Sequence, residues 1–212
     1  MTFQIFNDLP QLPPTSPSDA GKEVAVNSSG AFDLMNPLAY KYKISDTEDR
    51  DNYTDIANNE SPREITQLGL EALTPRSMNS KIKLHGAVCG GWDAHSYDKG
   101  IIIGRNVDGQ DEEFIRAGPI AGTDPSTGDP WVRTRLLAAW LGDSHHFNNL
   151  APANLHFLYI DDPHTTSAII YKIYLVNTRP NDTRSFYLNS TSGQDNASNF
   201  EVGVSTFIAQ EI

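Results

Sequence analysis

Leu155-His-Phe-Leu-Tyr-Ile160, then Asp161-Asp-Pro-His-Thr-Thr-Ser-Ala168, then Ile169-Ile-Tyr-Lys-Ile-Tyr-Leu-Val176 is the stretch whose reading decides the fold. Two runs rich in β-branched and aromatic residues flank a polar segment, and Pro163 is the single proline between them. Such side chains suit a pleated, half-buried surface, so the pattern predicts two strands joined by a short ordered connection. In the second run Ile169, Tyr171, Ile173 and Leu175 share one face, and Ile170, Tyr174 and Val176 share the other. A strand apolar on both faces belongs inside a sandwich or against a second subunit. The stretch holds no catalytic motif. It predicts a β-rich scaffold whose function is contact.

Upstream, Leu38, Tyr40, Tyr42 and Ile44 alternate with Ala39, Lys41 and Lys43, which predicts a half-buried strand. Residues 45–62 are acidic and aperiodic and read as a surface loop. Over 65–73, Leu68, Leu70 and Ala72 alternate with Gln67, Gly69 and Glu71, which favours a strand; a helix joining Ile65, Leu68 and Ala72 is interrupted by Gly69. With a turn at 74–80 and a strand carrying Ile82, Leu84 and Val88 on one face, residues 65–88 predict a hairpin. Gly90-Gly91 ends that strand, and residues 99–104 and 112–117 add two more. The turn chemistry of 118–130 predicts a loop. Residues 131–141 include a run from Leu136 to Leu141 that a helix would accept, but the alternating Trp131-Val-Arg-Thr-Arg135 favours a strand. Residues 186–188 and 204–212 complete the set, with Val204, Thr206, Ile208 and Ile212 on one face.

About eight strands between turn clusters, without helical crossovers, predict an all-β fold: a jelly-roll-like antiparallel β-sandwich over residues 37–212. Residues 1–36 stand apart as an extended N-terminal arm. Phe3, Ile5, Phe6, Leu9 and Leu12 sit among or before Pro10, Pro13, Pro14 and Pro17, with no helical or strand period. A disordered leader is the plain alternative. Five apolar residues in twelve positions favour an arm that docks elsewhere. Residues 23–32 read as a short strand, a turn and the entry to the sandwich.

Composition narrows the function classes. The chain has 212 residues, 16 Lys+Arg against 27 Asp+Glu and a net charge of −11, a sign that disfavours nucleic acid and anionic membrane as partners. Cys89 is the single cysteine and cannot form an intramolecular disulfide. No apolar run reaches the length of a membrane span, and the first residues lack a signal peptide's basic and apolar regions. The expectation is a chain that folds where it is made, without membrane insertion.

Residue by residue, a resemblance then emerges. Asp162-Pro-His-Thr-Thr-Ser-Ala168 with Tyr171-Lys-Ile173, Phe186-Tyr-Leu-Asn-Ser-Thr-Ser-Gly-Gln-Asp-Asn-Ala197 and Gly203-Val-Ser-Thr-Phe-Ile-Ala-Gln-Glu-Ile212 occur in this order. Together they resemble the C-terminal jelly-roll domain of tail-fibre and receptor-binding proteins of marine tailed bacteriophages. Thr74-Pro75 and Ser80-Lys-Ile82 are similar too, and Gly21-Lys-Glu-Val-Ala-Val-Asn-Ser-Ser-Gly30 looks like the connector that precedes such domains. The resemblance covers residues 37–212. Departures are Leu188-Asn-Ser190, the choices of Phe207 and Gln210, and the long acidic loop after Ile44. It implies a trimeric β-sandwich displayed on a virion, without enzyme activity.

Chemical constellations are weighed against that expectation. Asp143 with His145-His146, and Asp161-Asp162 with His164, offer metal-ligand types. Adjacent strand residues point oppositely, so the His pair does not chelate as a pair, and neither a metal nor a cofactor is expected. Asp111-Glu112-Glu113 could mimic a hydrolase pair but reads as a solvated acidic turn, and Ser144-His145-His146 lacks a nucleophile elbow. The sequons at Asn181, Asn189 and Asn196 are formal matches only. The loops 91–97, 123–129 and 191–199 mix aromatic and small polar residues. Candidate receptor contacts are therefore Trp92, His95, Tyr97, the Asp124-Pro125 pair and Asn196, since aromatic groups with adaptable hydrogen bonding suit sugars and polar protein surfaces. The competing reading folds these aromatics back onto the sandwich edge.

The resulting expectation is a non-enzymatic virion structural protein, made in the host cytoplasm. It would be a short homotrimeric tail fibre or receptor-binding protein contacting host surface polysaccharide or protein. Phe3, Ile5, Phe6, Leu9 and Leu12 would anchor it to other phage virion proteins, and the two-sided strand 169–176 would lie at or near the shared axis. A capsid decoration or head-fibre protein is the alternative, and a glycan-cleaving tailspike-type enzyme is a third reading.

Overall fold

The runs flanking Asp161–Ala168 become strands Ala153–Asp161 and Ile169–Asn177, but they do not pair with each other. Residues 162–168 carry the chain from one sheet to the other. The computed structural model describes residues 23–26, 32–35, 39–47, 53–57, 62–93, 98–115, 119–123, 130–134, 136–140, 153–179, 182–190 and 203–212. In chain order the strands are β1 (Glu23–Val26), β2 (Phe32–Met35), β3 (Tyr40–Ser45), β4 (Ile56–Ala57), β5 (Arg63–Glu64), β6 (Ile82–Trp92), β7 (Lys99–Val107) and β8 (Glu113–Ile115). They continue as β9 (Pro119–Thr123), β10 (Pro130–Thr134), β11 (Ala138–Ala139), β12 (Ala153–Asp161), β13 (Ile169–Asn177), β14 (Thr183–Arg184), β15 (Phe186–Leu188) and β16 (Ser205–Glu211).

Two five-stranded sheets carry the fold, and every pairing in them is antiparallel. One has the order β12-β6-β16-β3 with β15 on the end of β6; the other has β11-β7-β13-β5 with β8 on β7. The protein is an all-β, jelly-roll-like antiparallel sandwich, as its strand patterns predict. Ile82, Leu84, Val88, Leu155, Phe157 and Phe207 line the inner face of the first sheet. Ile101, Ile103, Ile169, Tyr171, Ile173 and Leu175 line that of the second. All are buried in one apolar cluster, and each such side chain contributes about 1.5–3 kcal/mol by leaving water. Gly86 interrupts the inner row of β6 between Phe157 and Phe207, whose rings meet 5.8 Å apart beside it. A Cβ there would collide with the Thr206 carbonyl and crowd the Phe157 ring.

Several expectations are corrected. Residues 65–88 form no hairpin: Thr66–Leu68 is a single 3-10 turn, and Leu73 bridges Ile169 in the second sheet while β6 lies in the first. Alternation could not show that the two segments serve different sheets. Residues 118–130 are not all loop, because β9 and β10 form a hairpin around 124–129. Pro119 and Pro130 stand first in their strands, where a missing donor is tolerated. The acidic segment 45–62 is not wholly surface, since Tyr53 and Ile56 reach the core at 1 % and 2 % exposure. The second face of β13 needs no partner subunit. Ile102, Tyr174 and Val176 are covered by Phe114 and Leu136 of the same chain.

Buried polar groups lock the sandwich. Arg105 of β7 donates through Nη1 to both Asp161 oxygens at 3.0 and 2.9 Å, and Tyr171 of β13 donates to Oδ2 at 2.7 Å. Asp161 closes β12, so this cluster ties the two sheets together. Burial and the adjacent Asp161 carboxylate push the Tyr171 phenol far above its ordinary range. Asn189, at φ 55°, donates to Ser45 O at 2.9 Å and Thr47 O at 3.0 Å and accepts from Ser205 Oγ at 2.6 Å. Its side chain is a structural node between β3 and β16.

Glu211 is 1 % exposed and accepts from the backbone N–H of Arg76 at 2.8 Å, that of Ala39 at 2.9 Å and Ser80 Oγ at 2.5 Å. Burial alone would raise its carboxyl; those donors and Arg76 outweigh it and hold the group below its ordinary 4.5. A depressed carboxyl contributes stability above its unfolded value that is lost as pH falls through its folded one. The contribution of this group to the urea midpoint is expected to hold from neutral pH down to 4.5 and then to fall as acid protonates it. Glu211→Gln should cost about 2 kcal/mol at neutral pH and flatten that acid limb. An acid limb as steep as in the parent would count against it.

Candidate interaction surface

Strand β3 shows the alternation its sequence predicts, but the apolar face points out rather than in. Phe207 of β16 faces the core, and the register pairs it with Lys43 and Ala209 with Lys41, so Tyr40, Tyr42 and Ile44 lie on the outer face. They are 49 %, 61 % and 56 % exposed. Strand β3 ends its sheet, and inward-pointing lysines on an end strand discourage pairing with another chain's edge. Lys41 is held by Glu71 at 3.1 Å.

The outer face of this sheet follows from register. One row runs Tyr42–Ile208–His85–Leu158 across β3, β16, β6 and β12. The rows beside it are Tyr40–Gln210–Lys83–Ile160 and Ile44–Thr206–Ala87–His156. Val204 and Ile212 extend the same alternation at the ends of β16. Of the eight large hydrophobic residues exposed among the described residues, seven lie on this face: Tyr40, Tyr42, Ile44, Leu158, Ile160, Val204 and Ile212. The eighth is Met78. Scattered exposed apolar residues need no explanation, but a contiguous patch of this kind marks a contact surface.

Charge sets the face apart as well. None of these three central rows contains a carboxylate, although the chain carries 27; at the margins Asp46 continues the outer alternation of β3 and Asp162 that of β12. Lys83 is the one fixed charge of these rows, and Lys81 stands opposite Ile212 at the margin. Burial and Lys83 push the His85 imidazole below its ordinary value, leaving it neutral at neutral pH. Beside the face, Tyr40, Tyr42, Ile44, Gly69 and Glu71 border an open groove of about 550 Å³ along β3. The sequence contained the signal in Leu158, Ile160 and Ile208, but alternation alone could not say which face turned inward.

Trp92, expected in a receptor-contacting loop, is a core residue. It is 4 % exposed, and its ring lies 5.2 Å from Phe186 and 6.0 Å from Trp140. It closes the inner row of β6, where apolar neighbours from β15 and 136–140 cap the end of the sandwich. His95, Tyr97, Asp124-Pro125 and Asn196 lie outside the described residues, as do Phe3, Ile5, Phe6, Leu9 and Leu12 of the arm and Asp143, His145 and His146.

The acidic run 111–113 has structural partners. Glu112 accepts from the Tyr174 hydroxyl, and Glu113 pairs with Arg105 Nη2 at 2.6 Å. Asp161 is taken up by Arg105 and Tyr171, while His164 and Asp162 stand 3.5 Å apart on the surface. Among the described residues no three His, Cys, Asp or Glu side chains gather as a metal site. No family model matches this chain, and no curated protein matches it.

Proposed function

We propose that this chain is a non-enzymatic structural protein of a bacteriophage virion, a short homotrimeric tail fibre or receptor-binding protein. Its motifs support the phage setting, and the apolar outer face of the β12-β6-β16-β3 sheet, whose three central rows hold no carboxylate, supports assembly with further copies. That observation carries the reading. An apolar face suits a protein partner better than a polysaccharide, which needs dense polar pairing. In a chain of net charge −11, a face whose central rows hold no acid is where copies meet with least repulsion. Two such faces meeting head-on would bring Lys83 against its own copy. A ring contact instead sets the face against an acidic surface of the neighbour, and three copies close the ring. The arm 1–36 anchors the assembly to other virion proteins, and the loops at the sandwich ends meet the host surface.

Light scattering should give three times the 23.4 kDa chain mass. Leu158→Glu introduces a carboxylate into the middle row of the face and should return the chain to a monomer with its β-sheet circular dichroism intact. A wild-type monomer at micromolar concentration would sink the trimer. Antibody labelling of virions should mark the tail; label confined to the head would replace this reading with capsid decoration.

A further inference from the structure

Where β7 begins and β13 ends, the inner rows of the second sheet finish on two polar residues. Lys99 follows Ile103 and Ile101, and Asn177 follows Ile173 and Leu175. They are directly opposed in the ladder. The Thr178 N–H donates to Asp98 O at 2.8 Å, so the adjoining 99–177 pair is the closer, non-hydrogen-bonded kind, with side chains side by side. Lys99 is 0 % exposed and Asn177 2 %. A wholly buried lysine calls for a reason.

Asp182 lies against both. Its Oδ2 accepts from Lys99 Nζ at 2.8 Å and stands 3.5 Å from Asn177 Nδ2. Nδ2 also donates to Ile56 O at 3.0 Å and Asp182 O at 2.9 Å, while Oδ1 accepts from the Arg179 N–H at 3.1 Å. Three acceptors around one atom and a donor at the other fix the orientation of the amide. The site thus presents an amine, an amide whose leaving nitrogen faces a carboxylate, and an N–H on the amide oxygen. These are the parts of an acyl transfer.

We propose that Lys99 and Asn177 are joined by an intramolecular isopeptide bond that the folded chain forms on itself, with Asp182 as the proton carrier. Asp182 takes a proton from the Lys99 ammonium, and the freed amine adds to Asn177 Cγ. The Arg179 N–H holds the oxygen as it gains negative charge. Asp182 passes its proton to Nδ2, and a second proton from Nζ follows through Asp182 to the same leaving nitrogen. The Nζ–Cγ bond is made, the Cγ–Nδ2 bond breaks, and ammonia departs, protonated, with Asp182 again a carboxylate. No oxidant or cofactor is consumed. Burial pushes the Lys99 ammonium below its ordinary range against the pull of Asp182, which favours the amine. Against its own burial, Lys99 and Arg184 hold Asp182 low, so it begins as the base the first step needs. The link would cross-brace β7 and β13 in a chain whose single cysteine, Cys89, is buried and free. It goes beyond the assembly reading and does not depend on it.

Intact-mass spectrometry of the full chain decides the matter. The expected mass is the sequence mass less one ammonia, with a branched tryptic peptide joining Lys99 to Asn177. The full sequence mass would overturn the proposal. So would loss of water with Lys99 joined to Asp182, or loss of ammonia confined to a cyclised Asn177 within a linear peptide. Asp182→Asn keeps the shape without the base and should show the full mass at Lys99 and Asn177. A branched peptide at the wild-type yield in that variant would overturn the role of Asp182.

Discussion

Trp92→Ala is expected to lower the unfolding free energy by about 3–5 kcal/mol, because it opens a cavity that the sandwich end cannot collapse to fill. The indole packs against Phe186 and Trp140, themselves 5.1 Å apart, and lies 5.7 Å from Lys99 Nζ. Removing it loosens the aromatic plug, and the melting temperature should fall by on the order of 10 °C for a domain of this size. Trp92→Phe should cost less, since the Trp92 Nε1 is buried with no acceptor among the described residues and Phe brings no such group. A melting temperature unchanged in Trp92→Ala would return this residue to the surface role its loop position first suggested.

Asp161→Ala should cost a similar amount, about 3–5 kcal/mol, for a different reason. The carboxylate is 5 % exposed and is shared by the Arg105 guanidinium and the Tyr171 hydroxyl. Its removal leaves a half-buried cation with only the exposed Glu113 for company, and a phenol without its acceptor. Tyr171→Phe deletes one donor and keeps the ion pair, so about 1–2 kcal/mol is expected. Chemical denaturation of the three proteins checks the order. Equal losses in Asp161→Ala and Tyr171→Phe would show that Arg105 is satisfied without Asp161.

The arrangement also explains why this sandwich buries its ion pairs where it does. Asp161 ends β12 and Asp182 precedes β14, one where the chain leaves a sheet and the other where it enters one. At both points a charge with two or three donors fixes the direction of the chain.

Local chemistry was enough for part of this structure. Alternating β-branched and aromatic residues in 155–160 and 169–176 specified strands, because a pleated surface presents successive side chains to opposite faces. The turn residues marked most strand limits, and the two-sided character of β13 was readable from Tyr174 and Val176 opposite Ile173 and Leu175. The assignment of segments to sheets was not. Residues 65–73 and 82–92 look like partners along the chain but serve opposite layers, and nothing in an alternation records which layer a strand joins. Nor does it record which side is inside. Tyr40, Tyr42 and Ile44 are the more apolar face of β3, yet register with Phe207 and Ala209 turns them out, because one neighbour's inward row fixes the other's. Trp92 reads as a loop aromatic until Phe186 and Trp140, distant in sequence, close over it. Lys99, Asn177 and Asp182 are ordinary as letters. Pairing of β7 with β13 and the return of the chain at 182 place an amine, an amide and a carboxylate together at the buried end of the sandwich. Composition and period determined the elements, and long-range pairing decided which of their faces met water, each other or a partner.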